Sequence, residues 1–293
     1  MNYKNSRDVA WQLLIKHKIS SLPVNLSKIC KAEHIRLFSY KEGAKLIQKL
    51  QLEEHAVGND AFSIGRVIFY NDENIVARQR FSIAHEMGHS IHSYFSNRTQ
   101  PYAKADYRIF VAEVASTVNE VLLIRYLLNT EKDEKLKKYL LSYLLEMIRT
   151  TLFRQTQFAE FESIAHDLVE KGEPLTKENL SEKYLELNKK YYGKSVESDG
   201  NIRYEWARIP HFYRAFYVYK YATGIISALA IAERILTEGK SAVDDYFKFL
   251  SSGGSDGPVE LLKIAGVDLT DKKAFLSAFK VFDDTLEEFI RMK

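Results

Sequence analysis

Residues 80–89 read Arg80-Phe81-Ser82-Ile83-Ala84-His85-Glu86-Met87-Gly88-His89, and the pattern H-E-x-x-H within them decides how the rest of the chain is understood. Positions i and i+4 of an α-helix lie one above the other, so this spacing lets His85 and His89 aim one ring nitrogen each at a single metal ion. Zn2+ is the ion the motif implies. Glu86 then sits beside the ion rather than on it, placed to take a proton from an activated water and pass it to a departing amine. Ile83, Ala84, Met87 and Ile91 give the helix an apolar side to bury. Gly88 costs a helix interior about 1 kcal/mol relative to Ala, which predicts that something packs closely there. The bland alternative is a surface helix carrying two solvated histidines.

A zinc site needs at least a third protein ligand. A longer motif with Gly at position 92 and His at position 95 is excluded, because His92 and Phe95 stand there. The stretch Val111-Ala112-Glu113-Val114-Ala115-Ser116-Thr117-Val118-Asn119-Glu120 offers Glu113. With Phe110, Val121, Leu122 and Leu123 it makes a helix that is apolar nearly all round, hence buried, where a carboxylate is costly unless paired or bound to metal. Glu120, two turns on along the same face, is a candidate acceptor for the other N–H of a ligating histidine. His92, two turns after His85, is a rival third ligand, and a Glu113 that reaches solvent at the helix margin is the bland alternative.

The chain has 293 residues and a net charge of +3 from 42 basic and 39 acidic side chains. No dense Lys/Arg block occurs, so charge makes no case for direct nucleic-acid binding. Cys30 is the single cysteine, which excludes an intrachain disulfide, points to a reducing compartment and reads as a small buried apolar residue. Residues 1–20 are amphipathic and lack the continuous apolar stretch of a signal peptide. No run approaches the roughly 18 apolar residues of a membrane span. The expectation is a soluble cytoplasmic protein with no membrane partner.

Along the chain, the patterns predict helices near 5–18 and 25–33, the second capped by Asn25, then a strand over 35–40 and a helix over 41–51. Residues 61–70 (AFSIGRVIFY) read as a strand or hairpin ending at Asn71-Asp72, and an exposed edge there would hold an extended peptide by β-augmentation. From 131 to 190 the pattern is helical, with a core stripe of Leu140, Leu141, Leu144, Leu145 and Ile148 and a loop at Gly172-Glu173-Pro174. Residues 195–201 (SVESDGN) form a second loop. Within the helical stretch stand Phe158, Glu160, Phe161 and Glu162, whose two carboxylates face different sides, so that at most one reaches a site and the alternative is a solvated helix face. The aromatic run from Tyr204 to Tyr221 is a second functional signal, since a positioned phenol or imidazole can stabilise an oxyanion. Helical spacing through it predicts Tyr213, Tyr217 and Tyr221 on one face, with Tyr219 turned toward Phe212 and Phe216. The alternative is a packed aromatic stripe. Gly253-Gly254-Ser255-Asp256-Gly257-Pro258 is a loop ahead of a helix starting near Val259, read either as touching substrate backbone or as a plain turn.

Two resemblances run through these motifs. In RDVAWQLLIKHKISSLPVNLSKI, IFYND and RQRFSIAHEMGH, residues 7–92 resemble the ImmA/IrrE family of metallopeptidases, which implies intracellular zinc peptidases or stress regulators acting on helix-turn-helix repressors. In HEMGHSIHSYFSNRTQPYAKADYRIFVAEVASTVNEVLL, RQTQFAEFE, RIPHFYRAFYVYKYATGI and SSGGSDGPVELLKIAGVDLT, residues 82–293 resemble the C-terminal catalytic part of oligoendopeptidase F, a thimet-type zinc peptidase. Members of that family are far longer than this chain. The second resemblance implies Glu113 as the third zinc ligand. It also implies His and Tyr donors over the zinc from the pool His211, Tyr213, Tyr217 and Tyr219, with Tyr219 and His211 first, and it sets Phe216 where many members carry a tyrosine.

The expected fold is mostly α (α+β): a zincin-like H-E-x-x-H metallopeptidase with a small N-terminal sheet and a large C-terminal helical bundle. Its two zinc-bearing helices pack together and the tyrosine-bearing helix closes the cleft. The expected division is an ImmA/IrrE-like α+β segment over 1–80 and an oligoendopeptidase-like helical segment over 81–293. The expected function is zinc-dependent hydrolysis of oligopeptides. The alternatives are site-specific cleavage of a helix-turn-helix repressor, or a catalytically silent binding module that keeps the fold. Oligomeric state is left open.

Overall fold

The computed structural model describes Cys30 and residues 34–57, 59–74 and 76–292. The helices expected near 5–18 and 25–33, with Asn25 as cap, lie outside the described residues apart from Cys30, which is fully buried. Burial pushes its thiol up to about 11, the behaviour of a small core residue.

The described chain opens with β1 (Arg36–Ser39), α1 (Tyr40–Lys49) and α2 (Glu53–Ala56), followed by the hairpin β2 (Ala61–Ile64) and β3 (Val67–Tyr70). Ser39 starts α1 through a reciprocal cap: its hydroxyl accepts from the Glu42 amide while its own amide donates to the Glu42 carboxylate. The stretch expected as strand or hairpin is a hairpin, with Ile64 paired to Val67 across a two-residue turn. Gly65 takes φ +58° at that turn, a conformation glycine adopts freely. Strand order is β1-β3-β2, with β1 parallel and β2 antiparallel to the central β3.

Period-2 alternation sends neighbouring residues of β3 to opposite faces. Phe69 packs with Ile47 of α1 and Phe62 of β2. Ile68 packs with Ile35, Cys30, Ile83 and Met87. The sheet is thereby held between α1 on one side and the helix carrying the histidines on the other.

That helix is α3 (Val76–Thr99), followed by α4 (Tyr102–Ala105), α5 (Ile109–Thr130) and α6 (Glu134–Ile148). A π-helical turn over Arg149–Phe153 leads into α7 (Arg154–Glu170) and α8 (Lys177–Tyr192). Two 3-10 turns, Ile202–Arg208 and Pro210–Tyr213, precede α9 (Tyr219–Glu238), α10 (Lys240–Leu250), α11 (Pro258–Ile264) and α12 (Lys272–Arg291). The fold class is therefore as expected, mostly helical with a small sheet. Among the described residues no helix is long and apolar enough to cross a membrane.

The chain forms two compact units, one from the described residues up to Leu144 together with Ile226 onward, the other from Leu145 to Ile225. In the first, Gly88 of α3 meets α5 backbone to backbone: a Cβ there would lie 2.6 Å from the Ala115 carbonyl and 2.7 Å from the Ser116 amide. This is the close neighbour that a glycine in mid-helix predicts. The far end of α3 is clamped by the turn after α10, where the Thr99 hydroxyl and the Gln100 amide both donate to the Ser251 carbonyl, at 2.6 and 2.8 Å. The Gly254 amide donates to the Lys104 carbonyl at 2.8 Å. Gly253, at φ +51°, lies so close that a side chain would run into the Lys104 carbonyl and the Ser96 hydroxyl. The glycine-rich loop is thus a tightly packed turn.

In the second unit Phe158 and Phe161 of α7, Tyr184 and Leu187 of α8, and Ile209 and Val218 form the core. Glu205 is buried beside it and accepts from Tyr184 and Arg154, both at 2.6 Å, and from Arg208. Burial alone would raise this carboxyl, but Tyr184 and the two guanidiniums outweigh it and hold it below the usual range.

Candidate metal centre

Three donor atoms converge where α3 and α5 cross. His85 Nε2 and His89 Nε2 are 3.1 Å apart, and Glu113 Oε2 lies 3.4 Å from the first and 3.5 Å from the second. Two of these residues share a face because they are one turn apart, and the third arrives because Gly88 lets α5 approach. Among the described residues they form the one group of three or more His, Cys, Asp or Glu side chains close enough to share an ion.

The distances suit zinc. A tetrahedral ion with ligands at about 2.0–2.1 Å separates its donors by about 3.3 Å, within the span seen here. The donor chemistry, two imidazoles and one carboxylate, is also that of a zinc site that keeps a position open. Ser116 donates to Glu113 Oε2 at 3.2 Å and so helps hold the carboxylate. Asn119 donates to the Ala84 carbonyl at 3.3 Å, tying α5 to the first turn of the motif. His85 Nδ1 contacts Glu120 Oε1 in a very short hydrogen bond, the acceptor expected from that position. It fixes the tautomer that leaves Nε2 free to ligate.

The carboxylates and imidazoles of the cluster shift one another's protonation. Burial disfavours the His85 imidazolium, but Glu113 and Glu120 outweigh it and raise the pKa to about 10. Burial likewise raises the Glu113 carboxyl, and the two imidazoles outweigh it, holding it well below the usual carboxylate range. A divalent cation would replace the proton that the cluster otherwise collects. Glu86 is half-buried next to the donors. The Tyr40 phenol is pushed up to about 12, first by burial, then by Asp60 and Glu86, so the Glu86 charge is felt toward the start of β2.

His92, the rival third ligand, is excluded from the cluster. Helical rise carries it about 10 Å along the axis from His85, too far to share an ion with it. It is buried and stacked on Tyr107, with ring centroids 3.7 Å apart, while the Tyr107 hydroxyl bonds Ser93 at 2.8 Å. Burial first, and the His89 charge second, lower its pKa to about 3.

The second unit corrects the expectation of one helix through Tyr213–Tyr221. Pro210 starts a 3-10 turn that ends at Tyr213, the chain then runs irregularly, and α9 begins only at Tyr219. Tyr213 therefore leaves the tyrosine stripe and is 85% exposed. Tyr217 and Tyr221 do meet, at 5.7 Å, and His211 stacks on Tyr217 at 5.7 Å. His211 Nε2 also lies 3.3 Å from the Tyr221 hydroxyl. Phe212 and Phe216 pack on α7: Phe212 on Phe158 and Phe161, and Phe216 on His166. Tyr221, which the i+4 spacing groups with Tyr217 outside the candidate donor pool, joins the Tyr217 cluster through His211. Of the carboxylates in the F-A-E-F-E stretch, Glu160 binds Lys190 and Tyr191 at the surface, and Glu162 is buried.

Two histidines one turn apart on a helix and a carboxylate from the next long helix make up the donor set of H-E-x-x-H metallopeptidases that take a glutamate as third ligand, with the glutamate between the histidines left beside the ion. The chain belongs to Peptidase family M3, whose profile matches residues 76–281. It is 49% identical over 233 residues to Oligopeptidase PepF of Bacillus subtilis (strain 168), covering 80% of this chain and 35% of that protein. It is 48% identical over 219 residues to an oligoendopeptidase F homolog of Borreliella burgdorferi, covering 75% of this chain and 37% of that one. Oligoendopeptidase-F from Enterococcus faecium superposes with a TM-score of 0.67 at 47% identity, over 74% of this chain and 39% of that structure. A peptidase from Chlamydophila abortus does so at 0.75 and 42% identity, over 80% and 40%. The chain thus spans little more than a third of the length of the curated relatives it matches.

Proposed function

We propose that this chain carries the catalytic centre of a zinc metallopeptidase that hydrolyses oligopeptides. The observation that carries the proposal is the convergence of His85 Nε2, His89 Nε2 and Glu113 Oε2 within 3.5 Å of one another. These three residues would hold Zn2+, which when bound supplies a Lewis acid and brings the pKa of a coordinated water to about 7. Glu120 keeps His85 in the ligating tautomer and orientation. Glu86 takes a proton from the attacking water and delivers it to the departing amine. β2 is an edge strand of the described sheet, and its outer edge would offer backbone partners to an extended peptide.

Donors to the developing oxyanion are assigned, on the resemblance to thimet-type peptidases, to Tyr219 and His211 first and to Tyr217 and Tyr213 after them. Peptides as substrates are supported by the matched relatives, which are named oligopeptidases and oligoendopeptidases. That support ranks repressor cleavage and a silent binding module behind peptide hydrolysis. The ImmA/IrrE-like character of residues 1–80, with a boundary to the helical segment at 81, rests on the quoted motifs alone. A cytoplasmic location rests on the single cysteine.

Metal analysis alongside cleavage of a quenched-fluorescent peptide library tests the proposal. One zinc per chain and hydrolysis of peptides are expected, and Glu113→Ala should lose both. Full zinc occupancy in Glu113→Ala would sink the ligand assignment, and zinc-loaded wild type that cuts no peptide would sink the hydrolase reading.

A further inference from the structure

Phe216 adopts φ +53°, the left-handed region that side chains other than glycine seldom enter. A bulky residue stays there only when its surroundings over-determine it, and such positions cluster where function needs a fixed geometry. The surroundings here are one stripe of α7. Phe158, Glu162 and His166 stand at i, i+4 and i+8, stacked along one face of that helix. Phe158 packs edge-on against the Phe212 ring at 5.6 Å. The Glu162 carboxylate accepts the Phe216 backbone N–H at 2.6 Å. His166 stacks on the Phe216 ring at 4.6 Å. Three successive turns of a rigid helix thus grip the two ends of the segment from Phe212 to Phe216.

Glu162 is the unusual member of the stripe. It is only 6% exposed, and a buried carboxylate is costly unless charge-assisted hydrogen bonds offset its desolvation. Its partner is a main-chain amide at the kink, so the bond acts on the direction of the chain rather than on any one side chain. Immediately after the kink come Tyr217, whose ring meets His211 and Tyr221, and Tyr219, the first residue of α9.

We propose that Glu162 is a positioning residue: by holding the Phe216 amide it fixes the left-handed kink that aims His211, Tyr217 and Tyr219. The inference rests on the assignment of oxyanion donors to that segment. It says nothing of zinc binding, which the other unit carries.

The test uses the full zinc-loaded chain. Glu162→Leu should lower kcat about 10²-fold with KM little changed and zinc content unaltered, because a misaimed donor is lost from the transition state. Glu162→Gln retains an acceptor oxygen and should keep most of the activity. Phe216→Gly adopts the kink without strain, so adding it to Glu162→Leu should recover much of the lost kcat. Hydrogen exchange reads the same latch without turnover: in Glu162→Leu the Phe216 amide should exchange at least about tenfold faster while α7 and α8 keep their protection. Tyr219→Phe and His211→Gln run in parallel. If they lower kcat but Glu162→Leu leaves both kcat and Phe216 exchange at wild-type values, the positioning role is overturned and the donor assignment stands. If wild type is active and neither donor variant changes kcat, the donor assignment falls and the positioning role falls with it.

Discussion

The α3–α5 pair and the segment from Ile202 to Val218 hold their candidate site residues by opposite means. In the pair, regular helices set the geometry: one turn separates His85 from His89, and a single glycine admits the helix that brings Glu113. In the segment, short 3-10 turns and a left-handed residue set it, and the restraint comes from Glu162, 54 positions earlier in the chain. A site built on regular helices inherits its precision from backbone periodicity. A site built on a kinked segment depends on a partner element for every angle.

The largest effect that sharpens this contrast is expected at Glu86. Glu86→Gln is nearly isosteric but cannot accept the water's proton, so kcat should fall about 10³–10⁴-fold with zinc and thermal stability unchanged. Activity near wild type would remove Glu86 from the role of base.

His92 probes the same helix pair through pH. Its folded-state pKa, lowered to about 3 from 6.5, means the unfolded chain binds the proton more tightly. Its contribution is therefore present above pH 6.5 and is lost as pH falls from 6.5 through 3, a difference on the order of 4 kcal/mol by linkage. Urea unfolding across that window should show His92→Phe to be less acid-sensitive than wild type. Identical pH slopes would show that His92 titrates normally.

Gly88→Ala tests whether close approach makes the site. The added methyl meets α5 backbone, which cannot move aside as a side chain can, so about 2–3 kcal/mol of stability should be lost and zinc bound more weakly. Unchanged melting and unchanged zinc affinity would show that the crossing tolerates a methyl. Tyr219→Phe is expected to give the smaller of the two kinetic effects, about 10² in kcat with KM little changed. A loss equal to that of Glu86→Gln would break the ranking of the two regions.

The clustering of His85, His89 and Glu113 was legible in the sequence because its cause is local. H-E-x-x-H spacing, the apolar side of Ile83, Ala84 and Met87, and a glycine in mid-helix all act within a few residues, and the apolar surround of Glu113 marked a carboxylate that needed a partner. The hairpin at Gly65 was legible for the same reason. The kink was not. Nothing near Phe216 in sequence calls for φ +53°; the buried carboxylate that accepts its amide lies on another helix. Helical spacing alone therefore runs through Tyr213, which the break at Pro210 to Val218 puts out in solvent. His92 shares a face with His85, and only rise along the axis, with Tyr107 waiting to stack on it, separates it from the ligands.

The clamp on α3 bears on how the protein is made. Thr99 and Gln100 find their acceptor in Ser251, 152 and 151 positions further along the chain. On a ribosome, the end of the metal helix stays open until that turn has emerged, after the whole unit from Leu145 to Ile225 has been synthesised. At about 5–20 residues per second the wait is on the order of ten seconds. For most of it the nascent chain already carries His85, His89 and Glu113, so the candidate ligands are all present well before their scaffold is closed.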